Sequence, residues 1–417
     1  MSVIRIQGLH CLEGTIRIQG SKNAVLPLMA ASLLHKGTIV LTNVPRIQDV
    51  YCMMGILESL GCVCEWEEHT LTIHAGDLCV SRIPQAEAGQ MRSSVMLLGP
   101  LLGRLKEAVS WHPGGCSIGK RPIDLHLLAL RRMGADIRTE GEQITASTQG
   151  LKGCEIIFPI SSVGATENAV MAAVAAEGTT ILRGASVEPE IVILCRFLEK
   201  MGARIGGIGT DTLVIEGGKS LHDVTFEVPG DRIVAGTYAG AVLAAGGDVM
   251  LQEAPAEHLE EVLRVIRKTG GAVQILPEGI RVRMEGRPGP VEITTGIYPG
   301  FPTDLQSVMV AVAAVADGDS RIHETVFEGR FASAKELQKL GGHIIIEDRT
   351  VCVTGTYPLR GGAVCAPDLR GGAALVVAGL AAQGTTILSG YEYIRRGYED
   401  ICRDLAGVGA KIELKEA

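Results

Sequence analysis

The sequence is poor in aromatic residues, carries no excess of positive charge and lacks a long apolar run. Of its 417 residues, 4% are aromatic, and 39 Lys and Arg stand against 47 Asp and Glu, giving a net charge of −8. Proteins that bind nucleic acid usually present a basic surface, so this charge argues against such a partner. The longest apolar run, Ala373–Ala382, falls short of the roughly 18 residues that cross a bilayer. We therefore expect neither a nucleic-acid partner nor a membrane span.

The eleven cysteines form no recognisable disulfide or metal pattern. No C-x-x-C pair is present, and Cys62-x-Cys64 falls in a predicted strand, where neighbouring side chains point to opposite faces. Residues 1–20 show no secretory signal, so we expect a reducing, cytoplasmic location. The glycine-rich stretch at 202–209 follows a helix and enters a strand, the reverse of the order that a dinucleotide site requires. No metal or organic cofactor is indicated.

The sequence does contain a repeated unit of roughly 70 residues. An apolar helix ending in Gly and followed by a strand recurs six times, at Gly61, Gly134, Gly202, Gly270, Gly341 and Gly409. Polar residues before a small-residue helix recur in phase, at Lys22, Arg92, Gly164, Arg232, Asp304 and Arg370. Such units are too small to bury their own apolar faces, and the chain is too long for one core. The pattern predicts two α/β domains of three units each.

The N-terminal segment suggests where the domains divide. Its strand layout matches that of residues 212–231, whereas the sixth repeat stops before the equivalent strand pair. We predict that residues 1–21 complete the last unit, so that one domain spans 22–229 and the other spans 1–21 plus 230–417. Helix starts carry free N–H groups and a positive dipole end. If these starts converge, a cleft between the domains would attract phosphate and carboxylate groups.

Two segments of the first predicted domain carry residues suited to anion chemistry. Lys22 precedes an apolar helix, where it is either a solvated charge or an anion clamp, and Ser21 and Asn23 are capping types. The segment HPGGCSIGKRPIDLH, residues 112–126, places Cys116 in a glycine-rich loop with two cations nearby. Such surroundings favour the thiolate. We therefore expect Cys116 to be functional.

Two further segments in the second predicted domain have two readings each. Asp304 in YPGFPTDLQ is either an N-cap or a general base. Asp368 and Arg370 in APDLRGGAA form either a structural pair or an anion site. The sequence leaves both alternatives open.

Taken in order, these segments resemble the enolpyruvyl transferase family, and within it the UDP-N-acetylglucosamine 1-carboxyvinyltransferases. The resemblance runs from GSKNAVLP at residue 20 to RGYE at 396–399, through PGGCSIGKRPIDLH, SVGATEN, EPEIV, GDRI, YPGFPTDLQ, ETVFEGRF and DLRGGA. It implies two inside-out α/β barrels, built from six repeated units with helices inside and sheets outside. It also implies a reaction, the first committed step of peptidoglycan synthesis. The 3-hydroxyl of UDP-N-acetylglucosamine adds to C2 of phosphoenolpyruvate, C3 gains a proton, and phosphate leaves.

The resemblance implies roles for the residues as well. Asp304 is expected to accept the hydroxyl proton, and Cys116 to act as the acid and to react with fosfomycin; Lys22 and Arg396 are counted with them as catalytic. Phosphoenolpyruvate is expected to bind Lys22, Arg121, Arg370 and Arg396. The sugar nucleotide is expected to contact Asn23, Arg92, Arg121, Pro122, Ile123, Asp124, Leu125, Ser162, Gly164, Asp304 and Val326. Arg330 and Asp368 complete the predicted substrate-binding set.

Several positions depart from the family pattern, among them FASA at 331–334, where members carry a His-containing FMHV. Ile160 stands where some members carry a basic residue, Gly329 replaces an Asn, and Arg395 replaces an Asp. Two alternatives therefore stay open. A 5-enolpyruvylshikimate-3-phosphate synthase shares the fold and the second substrate, although the Cys116 loop argues against it. A catalytically weak sensor of sugar nucleotides is the other.

Overall fold

The computed structural model describes residues 2–112 and 122–416, which divide into two compact units. We name each unit after one candidate site residue that it contains. The Lys22 unit comprises the described residues of 20–228, and the Asp304 unit comprises residues 2–19 and 229–416. Each unit has its own hydrophobic core.

The Lys22 unit contains seven α-helices among its described residues: α1 Lys22–Ala31, α2 Gln48–Ser59, α3 Gln85–Gln90, α4 Leu98–Leu105, α5 Asp124–Arg132, α6 Val163–Ala175 and α7 Pro189–Lys200. Two 3-10 helices span Ser32–Leu34 and Arg92–Leu97. Its strands are β3 Thr38–Thr42, β4 Val63–Glu67, β5 Thr70–His74, β6 Glu107–Trp111, β7 Asp136–Glu140, β8 Gln143–Ser147, β9 Glu155–Ile157, β10 Thr179–Arg183, β11 Arg204–Gly206, β12 Thr212–Glu216 and β13 Val224–Glu227.

The Asp304 unit also contains seven α-helices: α8 Arg232–Ala245, α9 Glu260–Lys268, α10 Gln306–Ala314, α11 Ala332–Lys339, α12 Leu369–Leu380, α13 Tyr391–Ile394 and α14 Ile401–Gly407. Its 3-10 helices span Ala256–His258 and Thr303–Leu305. Its strands are β1 Ser2–Gln7, β2 Leu12–Arg17, β14 Gly247–Gln252, β15 Ala272–Leu276, β16 Gly279–Met284, β17 Glu292–Thr294, β18 Asp319–His323, β19 His343–Glu347, β20 Thr350–Thr354, β21 Leu359–Arg360, β22 Ala363–Cys365, β23 Ala382–Gln383, β24 Thr385–Ser389 and β25 Lys411–Glu416.

The sheets of both units share one strand arrangement. In the Lys22 unit the orders are β13-β3-β5-β4, β6-β8-β7 and β11-β12-β10-β9. In the Asp304 unit they are β15-β16-β14-β2, β17-β18-β20-β19 and β22-β24-β1-β25, with an additional β21-β23 pair. Each four-stranded sheet has one edge strand parallel to its neighbour, namely β2, β9, β13, β17 or β22, whereas its other pairs are antiparallel.

The two N-terminal strands lie in the Asp304 unit. We predicted that residues 1–21 complete the last repeated unit with the strand layout of residues 212–231. Strand β1 lies between β24 and β25, with Ile4 opposite Leu388 and Leu414. Strand β2, however, pairs in parallel with β14. The two strands therefore complete two different sheets, just as β12 and β13 do in the Lys22 unit.

Small-residue helices fill the cores, as their composition requires. Helices α8, α10 and α12 contact one another, and nearly all of their residues are buried. Glycine permits this close packing: a Cβ on Gly236 would lie 2.3 Å from Leu305 Cδ1, and one on Gly240 would lie 2.5 Å from Val308 Cγ1. Each of these helices therefore fits against its neighbours through small side chains.

The marker glycines end their helices for a conformational reason. All six follow a helix and have φ between 88° and 110°, a region that residues with a Cβ avoid: Gly61, Gly134, Gly202, Gly270, Gly341 and Gly409. At the first of them, Gly61 N–H donates to Glu58 O and Cys62 N–H to Leu57 O, which satisfies carbonyls at the end of α2. Each helix can thus turn directly into the next strand.

Candidate active site

Asp304 lies in the 3-10 turn before α10 and contacts two arginines. Its Oδ1 atom is 2.6 Å from Arg330 Nη2, and its Oδ2 atom is 2.7 Å from Arg370 Nη2. The two arginine side chains are 7% and 8% exposed, against 23% for Asp304. Neither the turn nor α10 has a side-chain cap. Of the two readings of Asp304, the N-cap is therefore wrong.

The arginines decide the protonation state of Asp304. Burial disfavours the charged carboxylate, but the positive charges of Arg370 and Arg330, with their hydrogen bonds, outweigh that effect and hold the pKa of Asp304 well below its ordinary value. Burial lowers the pKa of Arg370, but the hydrogen bond and charge of Asp304, with the charges of Tyr398 and Asp231, together outweigh burial and raise that pKa. The result is an ionised carboxylate that faces partly towards solvent and is bounded by two buried cations.

Arg330 is held in turn by a chain of hydrogen bonds. Its Nη1 atom donates to Thr303 Oγ1 at 3.0 Å, and the Thr303 hydroxyl donates to Glu324 Oε2 at 2.8 Å. The guanidinium also lies over the Phe327 ring, 5.0 Å from its centroid. Arg330 is therefore fixed by Thr303 and Phe327 as well as by Asp304.

Arg370 is the second residue of α12, and its backbone is fixed by Asp368. Asp368 is the N-cap of that helix, and its Oδ1 accepts from the N–H groups of Arg370 and Gly371 at 2.9 Å each. The guanidinium of Arg370 also interacts with Tyr398, whose hydroxyl lies 2.7 Å from Thr237 Oγ1. Asp368 therefore serves as a helix cap, and Arg370 is the member of the pair whose side chain contacts Asp304.

Lys22, the first residue of α1, is largely buried. Its Nζ atom lies 2.8 Å from Asp49 Oδ2, and the two side chains are 11% and 7% exposed. Ser21 caps the helix, accepting from Ala24 N–H at 3.3 Å. The reading of Lys22 as a solvated surface charge is therefore wrong. Asn23 follows it in the same first turn and is half-buried.

A second polar group in the Lys22 unit surrounds His126. Arg92 Nη2 donates to Pro122 O at 3.2 Å, and His126 Nδ1 lies 3.2 Å from Asn168 Nδ2. Burial, with a smaller contribution from the Arg92 charge, lowers the pKa of His126 to about 3. A neutral ring whose Nδ1 accepts from the Asn168 amide carries its own hydrogen on Nε2. A Cβ on Gly164 would lie 3.2 Å from that Nε2 atom, so this position favours glycine.

The remaining predicted residues of the Lys22 unit have mixed exposure. Ser162 caps α6 and accepts from Ala165 N–H at 3.4 Å. Pro122 and Asp124 are exposed, but Ile123 and Leu125 are 5% and 9% exposed and pack in the core. A ligand at 122–125 would therefore meet backbone groups and the two exposed side chains.

Elsewhere, Val326 is half-buried and its N–H donates to Glu324 Oε1 at 2.8 Å. Arg396 follows α13 and is half-buried, with its N–H donating to Tyr393 O. Three of the departures from the family pattern, Ile160, Gly329 and Arg395, are exposed. Cys116 and Arg121 lie outside the described residues, so their predicted roles stay predictions.

Sequence reasoning missed four residues that shape these groups: Asp49, His126, Glu324 and Tyr398. His126, Glu324 and Tyr398 stand inside the quoted segments PGGCSIGKRPIDLH, ETVFEGRF and RGYE, so a signal was present. Asp49 lies 27 positions beyond its lysine partner, and no local pattern links the two. Within 2–112 and 122–416, no cluster of three potential metal ligands occurs, and no helix is long and apolar enough to span a membrane.

The fold matches solved enolpyruvyl transferases. The enolpyruvyl transferase NikO from Streptomyces tendae superimposes with a TM-score of 0.90 at 25% identity, covering 100% of this chain and 99% of that one. An EPSP synthase from Acinetobacter baumannii superimposes with a TM-score of 0.77 at 20% identity, over 100% of both chains, which shows the fold alone. The chain therefore has the enolpyruvyl transferase fold.

Sequence comparison narrows this class. The family model for EPSP synthase (3-phosphoshikimate 1-carboxyvinyltransferase) matches residues 6–405. A UDP-N-acetylglucosamine 1-carboxyvinyltransferase 2 from Caldanaerobacter subterraneus is 43% identical over 413 residues, and a UDP-N-acetylglucosamine 1-carboxyvinyltransferase from Cellvibrio japonicus is 44% identical over 415, each covering 99% of both chains. The chain belongs to the enolpyruvyl transferase family, in the group that contains the UDP-N-acetylglucosamine 1-carboxyvinyltransferases.

Proposed function

We propose that this chain transfers the enolpyruvyl group of phosphoenolpyruvate to the 3-hydroxyl of UDP-N-acetylglucosamine and releases phosphate, the first committed step of peptidoglycan synthesis. The names of full-length relatives at 43–44% identity support this reaction. The structural observation that carries it is the ionised Asp304 held between Arg330 and Arg370. Addition of a hydroxyl to phosphoenolpyruvate needs a base at the hydroxyl and cations around a phosphate and a carboxylate.

Asp304 acts as the proton acceptor in this proposal, and the arginines regulate its basicity. A carboxylate whose pKa lies far below neutrality is a weak base. Phosphoenolpyruvate is an anion that competes with Asp304 for Arg370. Once the substrate engages Arg370, Asp304 loses part of its cationic environment and its pKa rises. The base then becomes effective when the second substrate is bound.

The other predicted residues bind the two substrates or supply a proton. Lys22, Arg121, Arg370 and Arg396 hold the phosphate and carboxylate of phosphoenolpyruvate, and Cys116 supplies the proton to C3. The sugar nucleotide contacts residues of the Lys22 unit, namely Asn23, Arg92, Arg121 to Leu125, Ser162 and Gly164, together with Asp304 and Val326 of the Asp304 unit.

Two broader proposals concern architecture and location. We propose that three of the sheets in each unit surround the buried helices as an inside-out barrel of three repeated units. The mutual contacts of α8, α10 and α12 and their burial support this arrangement. We also propose a cytoplasmic location. Ten described cysteines are free thiols, the state expected in a reducing compartment.

The test is a phosphate-release assay of the wild-type protein with phosphoenolpyruvate and each of two acceptors. We expect turnover with UDP-N-acetylglucosamine and none with shikimate 3-phosphate. Asp304→Asn should lack activity, and the matched control Asp317→Asn, which alters an exposed carboxylate of the same unit paired with Arg287, should keep it. Turnover only with shikimate 3-phosphate would identify the other transferase. Binding of the sugar nucleotide without phosphate release would identify a sensor.

A further inference from the structure

Glu324 is fully buried and does not belong to the predicted site. It follows β18, and four hydrogen-bond donors surround its carboxyl group. Oε1 accepts from Thr295 Oγ1 at 2.9 Å, from Val326 N–H at 2.8 Å and from Phe327 N–H at 3.1 Å. Oε2 accepts from Thr303 Oγ1 at 2.8 Å. Both oxygens therefore act as acceptors, the bonding pattern of a carboxylate.

These contacts go beyond what a loop needs. A fully buried carboxylate costs several kcal/mol unless hydrogen bonds replace its water. The two backbone N–H groups at Oε1 would by themselves explain a carboxylate that ties down residues 325–327. The bond from Oε2 to Thr303 is different, because Thr303 lies in another segment, directly before Asp304. A purely local role for Glu324 would not require it.

The Thr303 hydroxyl transmits the orientation from Glu324 to Asp304. A hydroxyl has one hydrogen, which Thr303 donates to Glu324, so its lone pairs are left to accept from Arg330 Nη1 at 3.0 Å. The neighbouring Nη2 of the same guanidinium then donates to Asp304 Oδ1 at 2.6 Å. Because the guanidinium is planar and rigid, fixing one nitrogen fixes the direction of the other.

A second route starts from the same carboxylate. Glu324 holds the N–H of Phe327, whose ring lies beneath the Arg330 guanidinium at 5.0 Å. It also holds the N–H of Val326, a residue predicted to contact the sugar nucleotide. One buried group thus fixes the backbone at Val326, the stacking partner of Arg330, and the hydroxyl to which Arg330 donates.

We infer that Glu324 is a positioning residue for the Arg330–Asp304 pair, acting through the Thr303 hydroxyl. The inference rests on the proposed function, in which Asp304 accepts the proton of the sugar hydroxyl. Glu324 touches no reacting atom. It sets the direction of the hydrogen bond from Arg330 to Asp304, and it does so through Thr303. A base misplaced by about 1 Å can lower the rate on the order of 100-fold.

Two substitutions break this chain without removing volume. In Glu324→Gln, the three donors at Oε1 retain the amide oxygen there, so the amide nitrogen faces Thr303 and donates to it. The Thr303 hydroxyl then loses its acceptor and meets donors from both sides. Thr303→Val removes the hydroxyl and keeps the branched shape, whereas Thr303→Ser keeps the hydroxyl and removes the methyl group.

Steady-state kinetics with phosphoenolpyruvate and UDP-N-acetylglucosamine, per mole of folded protein, provide the first readout. We expect kcat to fall about 10- to 100-fold in Glu324→Gln and Thr303→Val, with both KM values within about threefold of wild type. Thr303→Ser should stay within about threefold in kcat. The double variant should be little slower than the slower single variant, because both act through one contact.

Matched controls separate positioning from folding. Thr350→Val removes a buried hydroxyl that bonds His323 in a neighbouring strand, and Glu336→Gln neutralises a largely buried carboxylate that binds Lys339. Both should keep wild-type kcat. If Glu324 only stabilises its loop, Glu324→Gln lowers the melting temperature but leaves kcat per folded molecule unchanged. That result, or equal rates for Thr303→Ser and Thr303→Val, would overturn the inference.

Crystal structures provide a second readout that does not depend on turnover. In Thr303→Val and Glu324→Gln, we expect Arg330 Nη2 to leave hydrogen-bond distance of Asp304 Oδ1. An unchanged pair would overturn the inference even if the wild-type protein proved inactive, whereas wild-type inactivity alone would overturn only the proposed function. If Glu324→Gln does not fold, Thr303→Val carries both readouts, because it introduces no charge and no new polar group.

Discussion

Each unit buries a carboxyl group, and the two groups behave in opposite ways. Asp304 faces Arg330 and Arg370, whose charges overcome the effect of burial and hold its pKa well below the ordinary value. Glu167 on α6 is 4% exposed, and burial, together with the nearby Glu190 charge, raises its pKa well above the ordinary value. Asp304 is therefore ionised at neutral pH. Burial instead favours the protonated form of Glu167, which lies in the core.

The difference shows what distinguishes a reactive carboxylate from a merely buried one. Burial alone makes a carboxyl group neutral and therefore unable to accept a proton. Buried cations restore the charge, but they also lower its basicity. Asp304 combines both features with partial exposure, so an anionic ligand can reach the cations and change the balance. Burial by itself therefore identifies no base in this molecule.

The largest effect should separate the two groups in catalysis. Asp304→Asn removes the proposed base and should lower kcat about 100- to 10,000-fold, the range expected for loss of general base catalysis. Glu167→Gln replaces a group that burial already favours as neutral, and should keep kcat within about threefold. Phosphate release at saturating substrates measures both. A large loss in Glu167→Gln with little loss in Asp304→Asn would reverse the comparison.

Another buried carboxylate, Asp49, extends the comparison to stability. Lys22→Met leaves Asp49 buried beside a methyl group and should lower the free energy of unfolding by about 3–5 kcal/mol. The double variant Lys22→Met/Asp49→Asn should recover most of that loss, because no buried charge remains. It should not recover turnover, since the anion clamp is gone. Trp66 and Trp111 both lie in the Lys22 unit, so their fluorescence follows the unfolding of that unit in urea. Full turnover of the double variant would exclude Lys22 from catalysis.

The pH dependence of stability should differ in sign between Asp304 and Glu167. A lowered folded-state pKa stabilises the fold above the unfolded-state value of 3.8 for Asp304, and that contribution disappears as pH falls further. A raised pKa does the reverse for Glu167: its contribution is complete below 4.5 and disappears as pH rises. Asp304→Asn should therefore cost about 1–3 kcal/mol at pH 7 and less near pH 3. Glu167→Gln should become more stable relative to wild type as pH increases.

Scanning calorimetry of the two variants between pH 3 and pH 8 tests this difference. Asp304→Asn should shift the transition of the Asp304 unit. Glu167→Gln should shift the transition of the Lys22 unit, which tryptophan fluorescence identifies. Parallel pH profiles for both variants would show that the arginines do not determine the state of Asp304.

The smallest effect concerns packing beside His126. A Cβ on Gly164 would lie 3.1 Å from His126 Cε1, a close contact that costs about 1 kcal/mol or more in a packed site. Gly55 lies within α2 with no atom within 4 Å of such a Cβ. Gly55→Ala should therefore stabilise the Lys22 unit by about 0.5–1 kcal/mol, whereas Gly164→Ala should not. Urea unfolding monitored by fluorescence compares the stability of the two variants. Equal stabilisation would show that the His126 ring moves to make room for the added methyl group.

Local features of the fold were accessible from sequence, because local chemistry determines them. The helix-ending glycines were predicted, and all six adopt positive φ. Strands were also predicted within residues 1–21, where β1 and β2 lie. Their partners were not, because β2 pairs with β14, more than 200 residues away, and the sequence layout is the same whichever sheet the strand joins. Pairing between distant segments leaves no local pattern.

The same limit applies to the candidate site. Asp304 after Pro-Thr fits an N-cap and a base equally well, and only the contacts with Arg330 and Arg370, 26 and 66 residues later, separate the two readings. Lys22 before a helix fits a solvated charge and an anion clamp, and the sequence gives no sign of its partner Asp49, which lies 27 residues later. Glu324 gave no signal of its own, since a glutamate after a short strand is usually solvated. Its burial depends on donors from three segments.

The central claim is that Arg330 and Arg370 hold Asp304 as an ionised but weakly basic carboxylate, and that its pKa rises when phosphoenolpyruvate engages Arg370. Carbon-13 NMR of the protein labelled at aspartate carboxyl carbons, with the Asp304 signal assigned by its loss in Asp304→Asn, measures this protonation state directly. We expect the signal of the unliganded protein to stay that of a carboxylate from pH 8 down to the ordinary pKa of 3.8 and below, and its titration to move to higher pH when phosphoenolpyruvate is added. A midpoint at or above 3.8 in the unliganded protein, unchanged by the ligand, would contradict the account.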